Sequence, residues 1–260
     1  MAIQEILSLL AAAFVAGVIN AVAGGGTMVT FPVLMLFGTP AIVANATSTL
    51  ALVVGTAGSI FGFRQHIAEI KPWLGRLIPV SLIGGGIGSW LLIHTSDNVF
   101  ARIVPFLLLF ATLLFLAQGL FKKFASQRIA TEQAPIISRK FLIIAVIVQF
   151  GVGIYGGYFG AGNGILMLAS LGFLGLTNIH QMNALKNVLG LLINVVAAII
   201  FICGGLINWP QAGIMTIGAL GGYFFGSSYS QKIPQIYVRR FISGIGITIT
   251  VVLFYRQFCL

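Results

Sequence analysis

The chain has 260 residues, of which 58% are hydrophobic and only 7% are charged, and its net charge at pH 7 is +10. A soluble chain has about 25% charged residues, so this composition excludes a soluble globular protein and predicts one all-α integral membrane domain. The basic residues stand at the ends of apolar runs and form no basic face. This placement argues against a nucleic-acid partner and favours contact with membrane lipid.

Ten apolar segments follow one another along the chain and predict eight to ten transmembrane helical segments. They form a first repeat at about 3–121 and a second at about 141–256, joined by a polar connector at 122–140. The predicted segments are 3–23, 25–38, 41–63, 73–93, 99–121, 141–159, 163–176, 181–203, 211–230 and 237–256. The second segment of each half has 14 residues. A helix of that length rises about 21 Å, less than the roughly 30 Å hydrocarbon core, so we expect a short broken or re-entrant segment in each half.

The two halves match each other when the sequence is shifted by 136 to 138 residues. Glycine matches are common in membrane sequences, but this shift also aligns asparagine, proline and arginine, which indicates an internal repeat. The pairs are Phe14 with Phe150, Gly17 with Gly153, Asn45 with Asn183, Pro72 with Pro210, and Arg102 with Arg240.

The distribution of positive charge predicts that the halves are inserted upside down relative to each other. The connector 122–140 carries five Lys and Arg residues and the loop 64–76 carries three, so both are expected in the cytoplasm. The counterpart of the second loop, 204–210, carries no charge and is expected outside. An inverted repeat with paired broken helices is typical of secondary transporters, which bind substrate at the midplane between the halves.

A first glycine break lies at Gly24, Gly25 and Gly26. It frees backbone N–H groups, and we expect Thr27 to cap the short helix that follows, whose N-terminal dipole then favours an anion. The alternative is that these glycines only allow close helix packing. The next segment carries polar residues that are either substrate ligands or interhelical hydrogen-bonding groups: Asn45, Thr47, Ser48 and Thr49. Of these, Asn45 and Ser48 join the candidate substrate site.

A second break contains Gly160 and Gly162 and is followed by Asn163. The next helix then places three polar residues on one face at i, i+3 and i+4, namely Asn183, Lys186 and Asn187. A lysine within an apolar segment is costly, so we predict that Lys186 binds an anionic substrate. The alternative is that its ammonium reaches the membrane interface. His180 precedes this face, and the choice between an interfacial position and a role in proton coupling stays open.

Several other functions find no support in the sequence. No carboxylate is available at the membrane centre for a cation site or a proton relay, because the acidic residues all lie near segment ends: Glu5, Glu69, Asp97 and Glu132. Cys203 and Cys259 lack metal or redox spacing, and no phosphate-binding GxxxxGK[ST] motif is present. None of the three histidines lies beside a serine at depth. We therefore expect no metal, no cofactor and no enzymatic activity.

Two stretches in order carry a family resemblance. GVINAVAGGGTMVTFPVLMLFG is followed by ANATSTLAL, and GGYFGAGNGILMLASLGFLGL is followed by NALKNVL. With these motifs the chain resembles the sulfite exporter TauE/SafE family, also called the toluene sulfonate uptake permeases, over nearly its whole length. The resemblance implies a bacterial inner-membrane carrier of small sulfur-containing or carboxylate anions, and it leaves the substrate open.

From these observations we expect a multi-pass secondary transporter of the bacterial inner membrane. It would move a small anion such as sulfite or an organosulfonate, coupled to the proton gradient, as a monomer or homodimer. A passive anion channel is the alternative, because the sequence does not separate coupled transport from conduction.

Overall fold

A computed structural model of the protein describes residues 1–22, 24–62, 67–129, 139–173, 179–229 and 235–258. These residues form an all-helical fold of ten helices in the order expected from the apolar segments. The helices are α1 (Ile3–Val22), α2 (Thr27–Leu36), α3 (Ala41–Gly62), α4 (Ile67–Ile93), α5 (Asp97–Ile129), α6 (Arg139–Tyr158), α7 (Asn163–Phe173), α8 (Ile179–Cys203), α9 (Trp209–Tyr229) and α10 (Gln235–Phe258).

Two helices extend well beyond their predicted ends. Helix α4 begins at Ile67, within the loop predicted at 64–76, and α5 continues to Ile129, into the connector predicted at 122–140. The sequence boundaries followed the fall in hydropathy, but lysine, arginine and glutamine favour helix as strongly as most apolar residues do. A helix that leaves the hydrocarbon region therefore continues until its backbone is interrupted.

The short second element of each half is a true helix. Helix α2 has 10 residues, fewer than its apolar segment, and so rises only about 15 Å, and the 11 described residues of α7 rise about 17 Å. Glycine ends α2, since Gly38 has a φ of +80° and the N–H of Thr39 donates to Leu34 O at 3.2 Å. Pro32 lies inside α2 and is buried.

The two halves pack through equivalent contacts. Helix α1 packs mainly against α9, and α6 packs in the same way against α4. Gly222 of α9 lies against the carbonyl of Phe14, and a Cβ on Gly84 of α4 would fall 2.7 Å from the carbonyl of Phe150. These pairs are related by the shifts of 136 and 138 residues, so the repeat seen in the sequence is also a repeat of packing. Its inverted insertion in the membrane stays a prediction.

Much of the outer surface is apolar. Ile83, Phe106, Ile147 and Phe224 are among many large hydrophobic side chains that are more than half exposed, which is appropriate for a surface in lipid. Among the described residues four stretches have the length and composition of membrane spans: Ile3–Ala21, Ile70–Ile93, Asp97–Ala117 and Gln181–Cys203. Shorter apolar stretches are Thr27–Leu36, Ala41–Ala57, Leu142–Tyr158 and Arg240–Tyr255. This is the pattern of a multi-pass membrane protein.

Candidate functional site

A cavity lies where the two glycine breaks meet α3, α8 and α9. The space open to the centre of a water molecule is about 80 Å³, and because one water needs roughly 10–15 Å³ by this measure, several waters or one small polyatomic ion fit. Its polar lining consists of Asn20, Thr27, Thr49, Thr56, Asn163, Lys186, Asn187, Asn194 and Tyr223. The remaining lining residues are Gly24, Gly25, Leu52, Phe159, Gly160, Gly164, Met167 and Gly190.

We call Gly24–Gly26 break 1 and Gly160–Gly162 break 2. A Cβ built on Gly24 would lie 3.8 Å from the Cα of Gly164, so break 1 contacts the first turn of α7, the helix that follows break 2. Behind both breaks lies the fully buried ring of Phe115 from α5. A Cβ on Gly25 would overlap this ring, whereas one on Gly162 would meet it at 3.5 Å. The breaks thus form one wall of the cavity, with Phe115 packed behind it.

Lys186 is the one formally charged residue in the lining. Its side chain is only 8% exposed, and its stem runs along α7, with Cδ 3.4 Å from the position of a Cβ on Gly164. Within the described part of the chain its ammonium forms no hydrogen bond or ion pair with the protein. The side chain therefore lies inside the bundle, which disagrees with the interfacial alternative. A buried ammonium without a protein partner favours the approach of an anion.

Asn163 places a second under-used polar group at the same wall. It is the first residue of α7, is 7% exposed, and has an Oδ1 atom without a hydrogen-bond partner among the described residues. Its amide packs against Gly156, where a Cβ would overlap it. Asn163 and Lys186 both line the cavity, so a buried carboxamide oxygen without a partner lies at the same cavity as the ammonium.

The first half and α9 contribute a hydrogen-bonded wall. The Tyr223 hydroxyl lies 2.7 Å from Thr56 Oγ1 and also bonds with the side chain of Asn20. Asn20 in turn accepts the N–H of Gly26 through Oδ1 at 2.6 Å. The ring of Tyr223 packs against Gly55 of α3, where a Cβ would overlap it. This network fixes break 1 to α3 and α9.

Seven of the twelve predicted site residues line the cavity together: Gly24, Gly25, Thr27, Gly160, Asn163, Lys186 and Asn187. The other five lie elsewhere. Gly26 bonds with Asn20, and Asn45 donates to Tyr158 O at 3.1 Å. Ser48 pairs with Thr30 at 2.6 Å. Gly162 packs near Phe115, and Asn183 does not reach the cavity lining.

The expected cap at Thr27 is wrong. The N-cap position is Gly26, which has a helical φ of −56°, and no side chain of the described residues caps the helix. Thr27 is therefore already the first residue of α2, where its hydroxyl is not placed to accept the N–H groups of the first turn. Thr47 and Thr49 were predicted as either substrate ligands or interhelical hydrogen-bonding groups. Thr47 accepts the N–H of Asn208 at 3.0 Å, while Thr49 lines the cavity. The side chain of His180 lies outside the described part of the structure.

Several lining residues were not predicted, although the repeat contains a signal for half of them. At the shift of 138, Thr49, Leu52 and Thr56 of α3 correspond to Asn187, Gly190 and Asn194 of α8, and all six line the cavity. Extending the face of Asn187 by one and two turns would have found Gly190 and Asn194. Asn20 and Tyr223 have no such signal, because they reach the cavity only through the packing of α1 and α9.

Within the described residues, no group of three or more His, Cys, Asp or Glu side chains is arranged to hold a metal ion. The cavity offers an ammonium, carboxamides and hydroxyls instead, which are groups that bind anions and neutral polar groups.

Comparison with known proteins gives a consistent result. The family model for sulfite exporter TauE/SafE matches residues 9–253. A "probable membrane transporter protein" of Haemophilus influenzae is 28% identical over 246 residues, which cover 94% of this chain and 92% of that protein. The "probable membrane transporter protein ORF9" of a Sinorhizobium species is 28% identical, covering 88% of this chain and 85% of its own. The "probable membrane transporter protein YfcA" of Escherichia coli K12 is 26% identical over 244 residues, which cover 94% of this chain and 87% of that protein. No solved structure gives a significant match.

Proposed function

The chain belongs to the sulfite exporter TauE/SafE family and is a membrane transporter, and from this membership and the cavity we propose that it carries a small anion. The substrate is sulfite, an organosulfonate, or a related sulfur-containing or carboxylate anion. The protein works as a secondary transporter in the bacterial inner membrane, and the proton gradient drives it.

The buried ammonium of Lys186 supports this proposal most directly. It is the one formal charge of the lining, and no carboxylate is among the lining residues. Burying a charge without a partner is costly, so the empty cavity is unfavourable in a way that an anion relieves. A cation would meet the ammonium with nothing to compensate it.

The position of the cavity supports alternating access. It is lined by both glycine breaks and by equivalent faces of α3 and α8, so each half contributes to it. In transporters built from repeats, substrate sits between discontinuous helices, and the halves rock around the fixed site. The cavity of this protein has the same relation to its halves.

The test is flux into liposomes containing the purified full-length chain, with sulfite, ethanesulfonate and acetate as probes. We expect saturable uptake that depends on an imposed pH gradient. Lys186→Gln should lower kcat/KM by about 10- to 100-fold, because a hydrogen bond to a charged group contributes roughly 1.5–3 kcal/mol. Lys71→Gln is the matched control, since this lysine of α4 is exposed, and it should transport like the parent.

Two results would overturn the proposal. Equal transport by the parent and Lys186→Gln, with both proteins folded, would remove the ammonium from the site. Flux that does not saturate and ignores the pH gradient would show a passive anion channel.

A further inference from the structure

The proposed function leaves the kind of anion open, and the hydroxyl proton positions on the wall formed by α3 and α9 narrow the choice. This inference rests on the proposed anion site. We propose that the cavity selects small anions that carry their own hydrogen-bond donor, a hydroxyl or an amino group, on a short carbon chain.

The protons of the α3 hydroxyls are already used within the helix. Thr49 donates to Asn45 O at 2.8 Å, and Thr56 donates to Leu52 O at 2.9 Å. A hydroxyl has one proton and two lone pairs, so neither oxygen has a proton left for a ligand. Thr49 lines the cavity and offers it only acceptor capacity.

The same reasoning fixes the donor in the Tyr223 network. Because Thr56 has given its proton to Leu52 O, the 2.7 Å contact between Thr56 and Tyr223 must have the Tyr223 hydroxyl as the donor. Asn20 accepts the N–H of Gly26 through Oδ1, so its NH₂ group is the part that bonds to Tyr223. The Tyr223 oxygen then has no proton for a ligand, and its remaining capacity is to accept.

The cavity therefore has two chemically different walls. The α8 wall carries the ammonium of Lys186 and suits the negative head of an anion. The wall of Thr49 and Tyr223 presents oxygen lone pairs, which repel an anion oxygen and attract an O–H or N–H group. Leu52 and Phe159 also line the cavity and can contact a short carbon spacer. A molecule with an anionic group at one end and a donor at the other satisfies both walls.

The experiment is calorimetry on the purified full-length chain with two matched pairs of probes. The first pair is 2-hydroxyethanesulfonate and ethanesulfonate, and the second is glycolate and acetate. Within each pair only the hydroxyl differs. We expect the hydroxylated member to bind about three- to tenfold more tightly, the typical net contribution of one neutral hydrogen bond.

Variants assign this preference to the wall. Thr49→Val and Tyr223→Phe each remove one acceptor oxygen, and together they should bring the ratio of dissociation constants within a pair close to one. Lys186→Gln should weaken both members of a pair and leave their ratio unchanged. Thr216→Val is the control, since this α9 threonine also donates to the carbonyl four residues back, at 2.8 Å, but is not among the lining residues. If Tyr223→Phe does not fold, Thr49→Val alone should still reduce the ratio.

The outcomes separate the two proposals. Tight binding of both members without preference, or a preference that survives the Thr49→Val and Tyr223→Phe double change, overturns the donor requirement and leaves the anion site in place. Binding of none of the four probes overturns the anion site for these classes, and the donor requirement falls with it.

Discussion

The two glycine breaks have similar backbone geometry, but different side chains hold them in place. In both, the first left-handed glycine closes the preceding helix by an i to i−5 hydrogen bond. Gly24 donates to Ile19 O at 3.1 Å, and Gly160 donates to Tyr155 O at 3.0 Å, with φ angles of +80° and +75°. The second left-handed residue is Gly25 in break 1 and Gly162 in break 2. After the 136-residue shift these positions are one residue apart.

Side chains at equivalent positions of the two halves have different roles. Asn20 holds break 1 through the N–H of Gly26 and also belongs to the cavity lining. Tyr155 holds break 2 by donating to Ala161 O at 2.6 Å, and it packs on Phe110. Lys186 of the second half corresponds to Ser48, which is paired with Thr30. The duplicated backbone supplies the frame, and divergence placed the charge in one half only, while the acceptor oxygens come from Thr49 of the first half and Tyr223 of the second.

The prediction with the largest expected effect tests whether the two halves are inserted in the membrane in opposite orientations. Single cysteines in a cysteine-free variant, placed in 204–210 and in 122–129, should react with an impermeant thiol reagent from opposite sides of the membrane. The positive residues of 122–129 should keep that segment inside, while 204–210 has no charge. Labelling of both positions from the same side would refute the inverted repeat.

Gly25→Ala should be more damaging than Gly162→Ala, the change at the second left-handed glycine of break 2. Its Cβ would overlap the Phe115 ring at a φ of +106°, so overpacking adds to backbone strain and about 2–5 kcal/mol of stability is lost. Gly162→Ala has ordinary contact distance to Phe115, and Gly38→Ala has a φ of +80° with no atom within 4 Å. Both should cost only about 1–2 kcal/mol. Thermal unfolding in detergent measures all three. An equal loss at Gly25 and Gly38 would show that Phe115 does not restrict break 1.

The positions of the helices and breaks were more predictable from the sequence than the side chains that meet at the cavity. Apolar runs fix helix positions because lipid demands complete backbone hydrogen bonding, and glycine runs mark where a helix stops. Lys186 and Asn163 stand out because polar groups are rare in such a sequence. In contrast, Tyr223 stands in an ordinary apolar helix, and only its packing on Gly55 brings the hydroxyl beside Thr56. Asn45 and Ser48 were candidate ligands on residue type, but in the structure Asn45 donates to Tyr158 O, Ser48 pairs with Thr30, and neither lines the cavity.

Substitution of either side chain that holds a break should lower stability by a similar amount, but only one of the two substitutions should also weaken anion binding. Asn20→Leu leaves the Gly26 N–H without its partner, and Tyr155→Phe does the same to Ala161 O. Each should lose about 1–3 kcal/mol of stability. Only Asn20→Leu should also weaken binding of hydroxylated anions, because it releases Tyr223. Calorimetry and thermal unfolding on both variants provide the comparison, and weaker anion binding by Tyr155→Phe would contradict the assignment.

Removal of the buried charge should stabilise the empty protein. Lys186→Met keeps the stem that packs on Gly164 and removes the ammonium, so we expect a gain of about 1–2 kcal/mol, or roughly 2–6 °C in Tm. Ligand should raise the Tm of the parent but not of this variant, because only a state that binds ligand is stabilised by it. Exposed Lys71→Met should change neither value. A destabilised Lys186→Met protein would mean that the ammonium has a structural partner.

The smallest expected effect comes from the position equivalent to Lys186. Ser48→Ala removes the 2.6 Å contact with Thr30, but Thr30 Oγ1 also lies 3.2 Å from Gly26 O and can donate there instead. The loss of stability should therefore stay near 0.5–1 kcal/mol. Anion affinity and kcat/KM should not change, since Ser48 does not line the cavity. A loss of transport in Ser48→Ala with unchanged binding would be informative in another way. It would mean that Ser48 acts in a second conformation, in which the first half takes the role that the second half has here. The different roles of Ser48 and Lys186 would then hold only for the conformation described.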